Sequence, residues 1–263
     1  MLDLEKLVAI VKEVGLKLKN IDRSDFEVEA KGGHQNFVTE YDKKTQDFLE
    51  ERLTKEWPDY IFISEEQEVH EQLTDAPSFI IDPIDGTSNF IHAVPFSGIS
   101  VAVVENKKTV QAIVYNFFLD ELFTAERGKG AYLNGERISV SKNDLGNSLF
   151  GLGTAPYYDE LHAGSISLIE QVLPLSTDVR RYGSAALDLC YVAAGRFGGF
   201  SELKLQVWDY AAGYLIAEEA GAVVTDLYKN PIQPIDSTTL IAANPTVYAE
   251  FFEKIDLDKI LTV

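Results

Sequence analysis

Apolar residues at Leu4, Leu7, Val8, Val11, Val14 and Leu18 recur three and four positions apart, which predicts an amphipathic first helix that buries one face. A second helix is predicted from about Asp42 to Trp57; Thr39 and Asp42 have the spacing of a capping box, and Pro58 ends the run. The pattern then shortens. Tyr60–Ile63 and Phe79–Ile81 are brief apolar runs that predict buried strands, each followed at once by acids. Gly98–Glu105, Thr109–Tyr115 and Glu121–Ala125 predict an antiparallel meander turning through Asn106, Lys107 and Lys108, and Asn134-Gly135 predicts a hairpin. The polar stretch from Ser141 to Asn147 marks the expected boundary between an N-terminal α+β half, 1–143, and a C-terminal α/β half, 144–263, packed as one unit. Beyond it, Ser184–Ala194 and Trp208–Ala220 predict helices ended by Gly195 and Gly221, and helices alternate with strands as in α/β proteins.

Composition narrows the classes of function more than the fold. A hydrophobic fraction of 46% with 25% charged residues is globular, so the chain can bury one continuous core or two packed halves. A formal charge of −19 argues against a nucleic acid polymer or an acidic membrane surface as partner, because both are bound through clustered Lys and Arg. The single cysteine, Cys190, excludes an intramolecular disulfide and falls in an apolar helical stretch, where a buried thiol is expected. Acids and lysines interleave with the apolar residues of the first helix, unlike a signal peptide or a membrane span, and a cytoplasmic protein is expected.

Candidate chemistry concentrates where strands end and helices begin. In Phe79-Ile80-Ile81-Asp82-Pro83-Ile84-Asp85-Gly86-Thr87-Ser88 an apolar strand delivers two carboxylates, and Pro83 disfavours helix at Asp82, so both acids are expected in a loop at the strand's carboxyl end. Two bare carboxylates about 4 Å apart repel by about 4 kcal/mol at an effective dielectric near 20, which a divalent cation would turn into attraction. Oxygen donors alone favour Mg2+, Mn2+ or Ca2+ over zinc. Gly86 permits close backbone approach, and Thr87 or Ser88 could open a helix whose free N–H groups face phosphate. The same residues also suit an ordinary Asp-Pro, Asp-Gly turn with a capping threonine. Glu65 alone reads as a loop acid, and Asp209, where a helix begins, as a cap. Were Glu65, Asp82, Asp85 and Asp209 to converge, they would line a site for two metals about 3.5–4 Å apart. His34, His70, His92 and His162 lack a nucleophile context, and Gly128-Lys129-Gly130 and Gly198-Gly199 match neither nucleotide-binding fingerprint.

Asp82-Pro83-Ile84-Asp85-Gly86-Thr87-Ser88-Asn89-Phe90, taken with Trp208-Asp209-Tyr210-Ala211-Ala212-Gly213, closely resembles the paired signatures of the inositol monophosphatase family. Val38-Thr39-Glu40-Tyr41-Asp42, Ser64-Glu65-Glu66 and Gly183-Ser184-Ala185-Ala186 follow that family's order, so the resemblance spans nearly the whole chain. It implies a five-layered α-β-α-β-α sandwich with an antiparallel-rich first sheet and a smaller second one. It also implies Mg2+-dependent, lithium-sensitive hydrolysis of phosphate monoesters, with two or three ions per site and Mn2+ as a substitute, in a homodimer. By the same resemblance Glu65, Asp82 and the Ile84 carbonyl hold one metal, and Asp82, Asp85 and Asp209 a second. Glu65 also reaches a third, weaker ion. Thr87 with Asp42 orients the attacking water, Gly86, Thr87 and Ser88 meet the phosphate, and Gly183, Ser184, Ala185 and Glu202 line the wall for substrate hydroxyls. Lys31 matches a basic residue near the metals. Thr154 and Asn36 depart from the family's usual Ser and Asp and bear on which polyol or sugar phosphate is taken. Fructose 1,6-bisphosphate, NADP and 3′-phosphoadenosine phosphate are the alternative substrates, and a catalytically silent metal- or partner-binding protein is the alternative from another class.

Overall fold

In the computed structural model, which describes residues 2–21, 28–30, 37–67 and 73–261, with the backbone alone described over 28–30 and 37–39, strands gather into two large sheets with helices outside and between them. The chain opens with α1 (Leu4–Lys19), the antiparallel pair β1 (Val28–Ala30) and β2 (Phe37–Thr39), and α2 (Glu40–Glu56). The first sheet has seven strands in sequential order: β3 (Ile61–Ser64), β4 (Ser78–Asp85), then, past the short α3 (Thr87–Ile91), β5 (Gly98–Glu105), β6 (Lys108–Asn116), β7 (Glu121–Glu126), β8 (Gly130–Leu133) and β9 (Glu136–Ile138). Only β3 and β4 pair in parallel. The second sheet is mixed: β10 (Leu149–Leu152), β11 (Asp178–Arg180), β12 (Gly199–Leu205), β13 (Val223–Thr225) and β14 (Thr238–Ala243) lie in the order β11-β10-β12-β14-β13. The remaining helices are α4 (His162–Val172), α5 (Ala185–Ala193), α6 (Val207–Tyr210), α7 (Gly213–Glu219), α8 (Pro245–Lys254) and α9 (Asp258–Leu261).

The alternation of side chains along each strand shows why there are five layers. On the first sheet Phe79, Ile81, Ile99, Val101 and Ile113 pack against Leu7, Val11 and Val14 of α1 and Leu49 of α2, while Ile80, Ala102, Val104, Ala112 and Val114 point the other way, into α5 and α7. On the second sheet Phe200, Leu240 and Ala242 face those same two helices, and Leu203, Ile241 and Ala243 face Leu168 of α4 and Phe251 of α8. Both faces of both sheets are thus covered, so the central strands carry apolar residues on both faces. The order of layers is α1/α2, first sheet, α5/α7, second sheet, α4/α8, which is the sandwich expected from the sequence. The hairpin at Asn134-Gly135 forms with both residues at positive φ, 50° and 83°. Gly195 and Gly221 close α5 and α7 at φ 70° and 98°.

Three expectations change in detail. The acids of β4 do not follow the strand in a loop; the strand runs through Asp85. The helix expected over Trp208–Ala220 is two helices, α6 and α7, broken at Ala211 and Ala212. Finally, α2 begins at Glu40, so Asp42 lies inside its first turn, wholly buried, instead of at its start. The Thr39 side chain of the expected capping box, together with Lys31, His34, Asn36 and His70, lies outside the described residues.

Candidate active site

The carboxylates of β4 reach the same cleft because the strand is irregular. Asp82 and Asp85 are three positions apart, which in a regular strand would set them on opposite faces. The register slips between them: Asp82 pairs with Ser100 and Asp85 with Gly98, so β4 holds one residue more than β5 over that interval. This bulge restores both acids to one side, and it suits Pro83, which has no N–H to give the ladder. The Ile84 N–H, diverted from the ladder, donates to Asp82 Oδ1 at 3.0 Å. Phe79, Ile80, Ile81 and Ile84 are each at most 1% exposed. At about 1.5–3 kcal/mol per buried side chain they offset the several kcal/mol that burying a carboxylate costs.

Gly86 ends β4 and begins α3 at φ 87°, and a Cβ there would lie 3.0 Å from the Phe96 carbonyl oxygen and 3.1 Å from that of Gly183. Only glycine fits that left-handed, crowded corner. Thr87 follows; its Oγ1 lies 3.2 Å from Asp42 Oδ1 and 3.1 Å from the Ile84 carbonyl oxygen, two acceptors for one proton. Glu65 sits in the turn after β3 and is held by its backbone N–H to the Ile81 carbonyl at 3.2 Å. Asp209 stands three residues past Gln206, the N-cap of α6, and accepts the Gln206 N–H at 2.6 Å, closing a capping box. Its capping role and its place on the cleft are therefore both real.

These groups share a cleft of about 780 Å³ lined by Glu65, Asp82, Ile84, Asp85, Gly86, Thr87, Ser88 and Asp209 on one side and by Gly183, Ser184, Ala185 and Glu202 on another. Every described residue expected at the site lines it except Asp42, which is buried behind Thr87, and Thr154, which accepts from the cleft residue Arg181. The second wall is tied to the first: Ser184 Oγ donates to Asp85 Oδ2 at 2.6 Å and the Ala186 N–H donates to the same oxygen at 2.7 Å. Glu202 on β12 accepts the Ala155 N–H at 2.9 Å. Its carboxylate presses on Gly153, where a Cβ would come within 2.0 Å of the Glu202 carboxyl.

Burial raises the Asp82 carboxyl well above the usual range, and the charges of Glu65, Asp85, Asp209 and Asp42 add to the shift. Desolvation takes Asp85 to about 6 despite the bonds from Ser184 and Ala186. Asp209 is raised well above its ordinary value by desolvation, then by Asp85 and Glu65. Glu202 rises to about 7, chiefly through burial. A set of oxygen donors that repel one another in a desolvated cleft fits a divalent cation. Among the described residues no three acids are already drawn together to hold one, and Asp82, Asp85 and Asp209 each accept a backbone N–H.

Sequence reasoning missed Gly153, Arg181 and Asp188, all of which line the cleft. Arg181 donates through Nε to Thr154 Oγ1 at 3.3 Å. Asp188 is 1% exposed, and burial with the neighbouring Glu202 and Asp85 raises its carboxyl well above the ordinary range. A signal was present, because Asp188 is the one charged residue in Ala185–Ala193.

Residues 3–256 match the inositol monophosphatase family. An inositol-1-monophosphatase of Rhizobium meliloti is 39% identical over 213 residues, 81% of this chain and 80% of its own. The Nus factor SuhB of Escherichia coli K12 is 37% identical over 238 residues, 90% of this chain and 88% of its own. Among solved structures the Thermotoga maritima IMPase superposes with a TM-score of 0.86 at 32% identity and covers 98% of both chains. With a family match along nearly its whole length and a relative 39% identical over most of both chains, the chain belongs to the inositol monophosphatase family and is with it a phosphoric monoester hydrolase.

Proposed function

We propose that the protein hydrolyses a small phosphorylated polyol, inositol monophosphate first among the candidates, in a Mg2+-dependent reaction. The observation that carries this reading is the meeting on one cleft of Glu65, Asp82, Asp85 and Asp209, from three separate segments, with Thr87 backed by Asp42. In this reading Glu65, Asp82 and the Ile84 carbonyl hold one Mg2+, and Asp82, Asp85 and Asp209 a second. Bound there, the ions would supply the positive charge that lowers the pKa of a water and neutralises the leaving alkoxide.

The chain's own groups do the positioning. Asp42 and the Ile84 carbonyl are both in reach of the Thr87 hydroxyl proton; directed at Asp42, the hydroxyl would turn its lone pairs to a water, and as it took up the water's proton it would pass its own to the Asp42 carboxylate. Backbone N–H groups of Gly86, Thr87 and Ser88 orient the phosphate. Ser184 and the Ala186 N–H keep Asp85 in one rotamer, and Glu202 with Ala185 meets the polyol. Two or three ions per site, Mn2+ as a substitute, lithium inhibition and a homodimer belong to the same proposal and rest on the family resemblance; a cytoplasmic location belongs to it too and rests on the charged residues interleaved through the first helix. Among the described residues no helix is long and apolar enough to cross a membrane.

The test is a phosphate-release screen of myo-inositol 1-phosphate, fructose 1,6-bisphosphate, NADP and 3′-phosphoadenosine phosphate, with and without Mg2+. Mg2+-dependent release, fastest from inositol 1-phosphate, is expected. Release only from another of these esters would move the substrate assignment, and no release from any would end the catalytic reading.

A further inference from the structure

Asp188 lines the cleft without a part in the metal site or a hydrogen bond that accounts for it. Its carboxyl is 1% exposed, and among the described residues Oδ1 has no hydrogen-bond partner. A buried polar atom left unpaired costs about 1–3 kcal/mol, so its retention inside an otherwise apolar helix calls for a partner from outside the chain. Helical spacing places it with the substrate side of α5: Ser184 and Ala185 lie four and three residues before it, one turn away on the same face, and all three line the cleft. The charged groups facing it are Glu202 from β12, Asp85 from β4 and Arg181. It is not one of the acids assigned to metal, and it lies on the wall assigned to the polyol.

We propose that Asp188 is a specificity-determining residue that hydrogen-bonds a hydroxyl of the polyol next to the one gripped by Glu202, so that the pair reads a vicinal diol. A hydroxyl both donates and accepts, so it can satisfy this carboxyl whether or not the carboxyl carries a proton. This inference rests on the reading of the site as a polyol phosphatase and deepens it. It gives the wall two side-chain contacts to the polyol where the family resemblance supplies one, and it selects esters with adjacent hydroxyls over esters without them.

The experiment compares Asp188→Ala and Asp188→Asn with the unaltered protein on myo-inositol 1-phosphate and on 4-nitrophenyl phosphate, which has no hydroxyl beside the ester. The ratio of kcat/KM for the two esters is expected to fall about tenfold in Asp188→Ala, the loss of one good hydrogen bond, and to recover largely in Asp188→Asn, whose amide also donates and accepts. An equal fall on both esters, or a ratio that stays the same, would overturn the proposal in favour of a structural role or a buried water. Thermal melting of each variant separates these outcomes from misfolding. Equilibrium binding of inositol 1-phosphate against inorganic phosphate keeps the two readings apart. Tighter binding of the inositol ester that Asp188→Ala abolishes would uphold Asp188 even if the protein released no phosphate, and equal binding of the two by the unaltered protein would sink it.

Discussion

The cleft has two sides made in different ways. The metal side is local: Asp82 and Asp85 are placed by one bulge in one strand, and Asp82 and Asp209 each accept an N–H within three residues of themselves. The polyol side is assembled at a distance, with Glu202 fixed by Ala155 across 47 residues, its carboxylate against Gly153, and Ser184 reaching Asp85 across 99. Asp82 and Asp209, fixed by their own backbone turns, can keep their geometry while the far wall is remodelled, whereas Asp85, held by Ser184 and the Ala186 N–H, is where the two sides join. Away from that joint, substitutions on the two sides should fail in different ways.

The largest failure is expected on the metal side. Asp82→Asn or Asp209→Asn keeps the amide oxygen that accepts the local N–H, so the turn survives, but it removes one negative charge from the proposed ion site. Turnover at saturating Mg2+ should fall by about 10²–10³ or more. Metal-free melting temperature should rise, because each substitution deletes a buried charge that its neighbours repel. A variant with full turnover, or one that melts lower without metal, would break the comparison at its stronger end.

That contrast also explains what could be read in advance. The apolar run ahead of Asp82 and the acids behind it are adjacent in sequence, so the metal side was visible as a motif. The apolar runs predicted strands, but their stacking into layers was anticipated through the family resemblance alone, although β4 to β6 are buried along nearly their whole length. The bulge was not visible, because Pro83 is compatible with either a loop after the strand or an irregularity inside it. Nor was the break between α6 and α7, since Gly213 is the one residue in Trp208–Ala220 of markedly low helix propensity and a single glycine is tolerated inside a helix. Gly153 escaped notice for a different reason: its role arises from Glu202, a residue of another strand, and no local pattern marks a contact across layers, whereas Asp188 did carry a signal as the one charge in Ala185–Ala193.

The polyol side should fail more gently. Gly153→Ala puts a methyl where the Glu202 carboxyl now sits, 2.0 Å from its nearest atoms, and Glu202 must swing away from the Ala155 N–H. We expect KM for inositol 1-phosphate to rise about tenfold, roughly the value of one hydrogen bond to a charged group, with kcat much less affected. Steady-state kinetics on both parameters checks this. A collapse of kcat with KM unchanged would show that the two sides are not separable.

The finest distinction is one of pH, read as melting temperature instead of rate. Asp85 goes from 3.8 to about 6 on folding and Glu202 from 4.5 to about 7, both raised by burial. For an acid raised in this way, stability is full below the unfolded value, where both states hold the proton. It is lost as pH climbs to the folded value, because the unfolded chain gives up its proton first. Metal-free protein should therefore lose several degrees of melting temperature between about pH 4 and pH 7, each group contributing on the order of a few kcal/mol. Saturating Mg2+ favours the ionised form of Asp85 and should remove its share, which lies below about pH 6. The share of Glu202, on the other side of the cleft, should persist up to about pH 7, with that of the buried Asp188 beside it. If Mg2+ abolished the whole slope, Glu202 would have to belong to the metal side; if it abolished none, Asp85 would not.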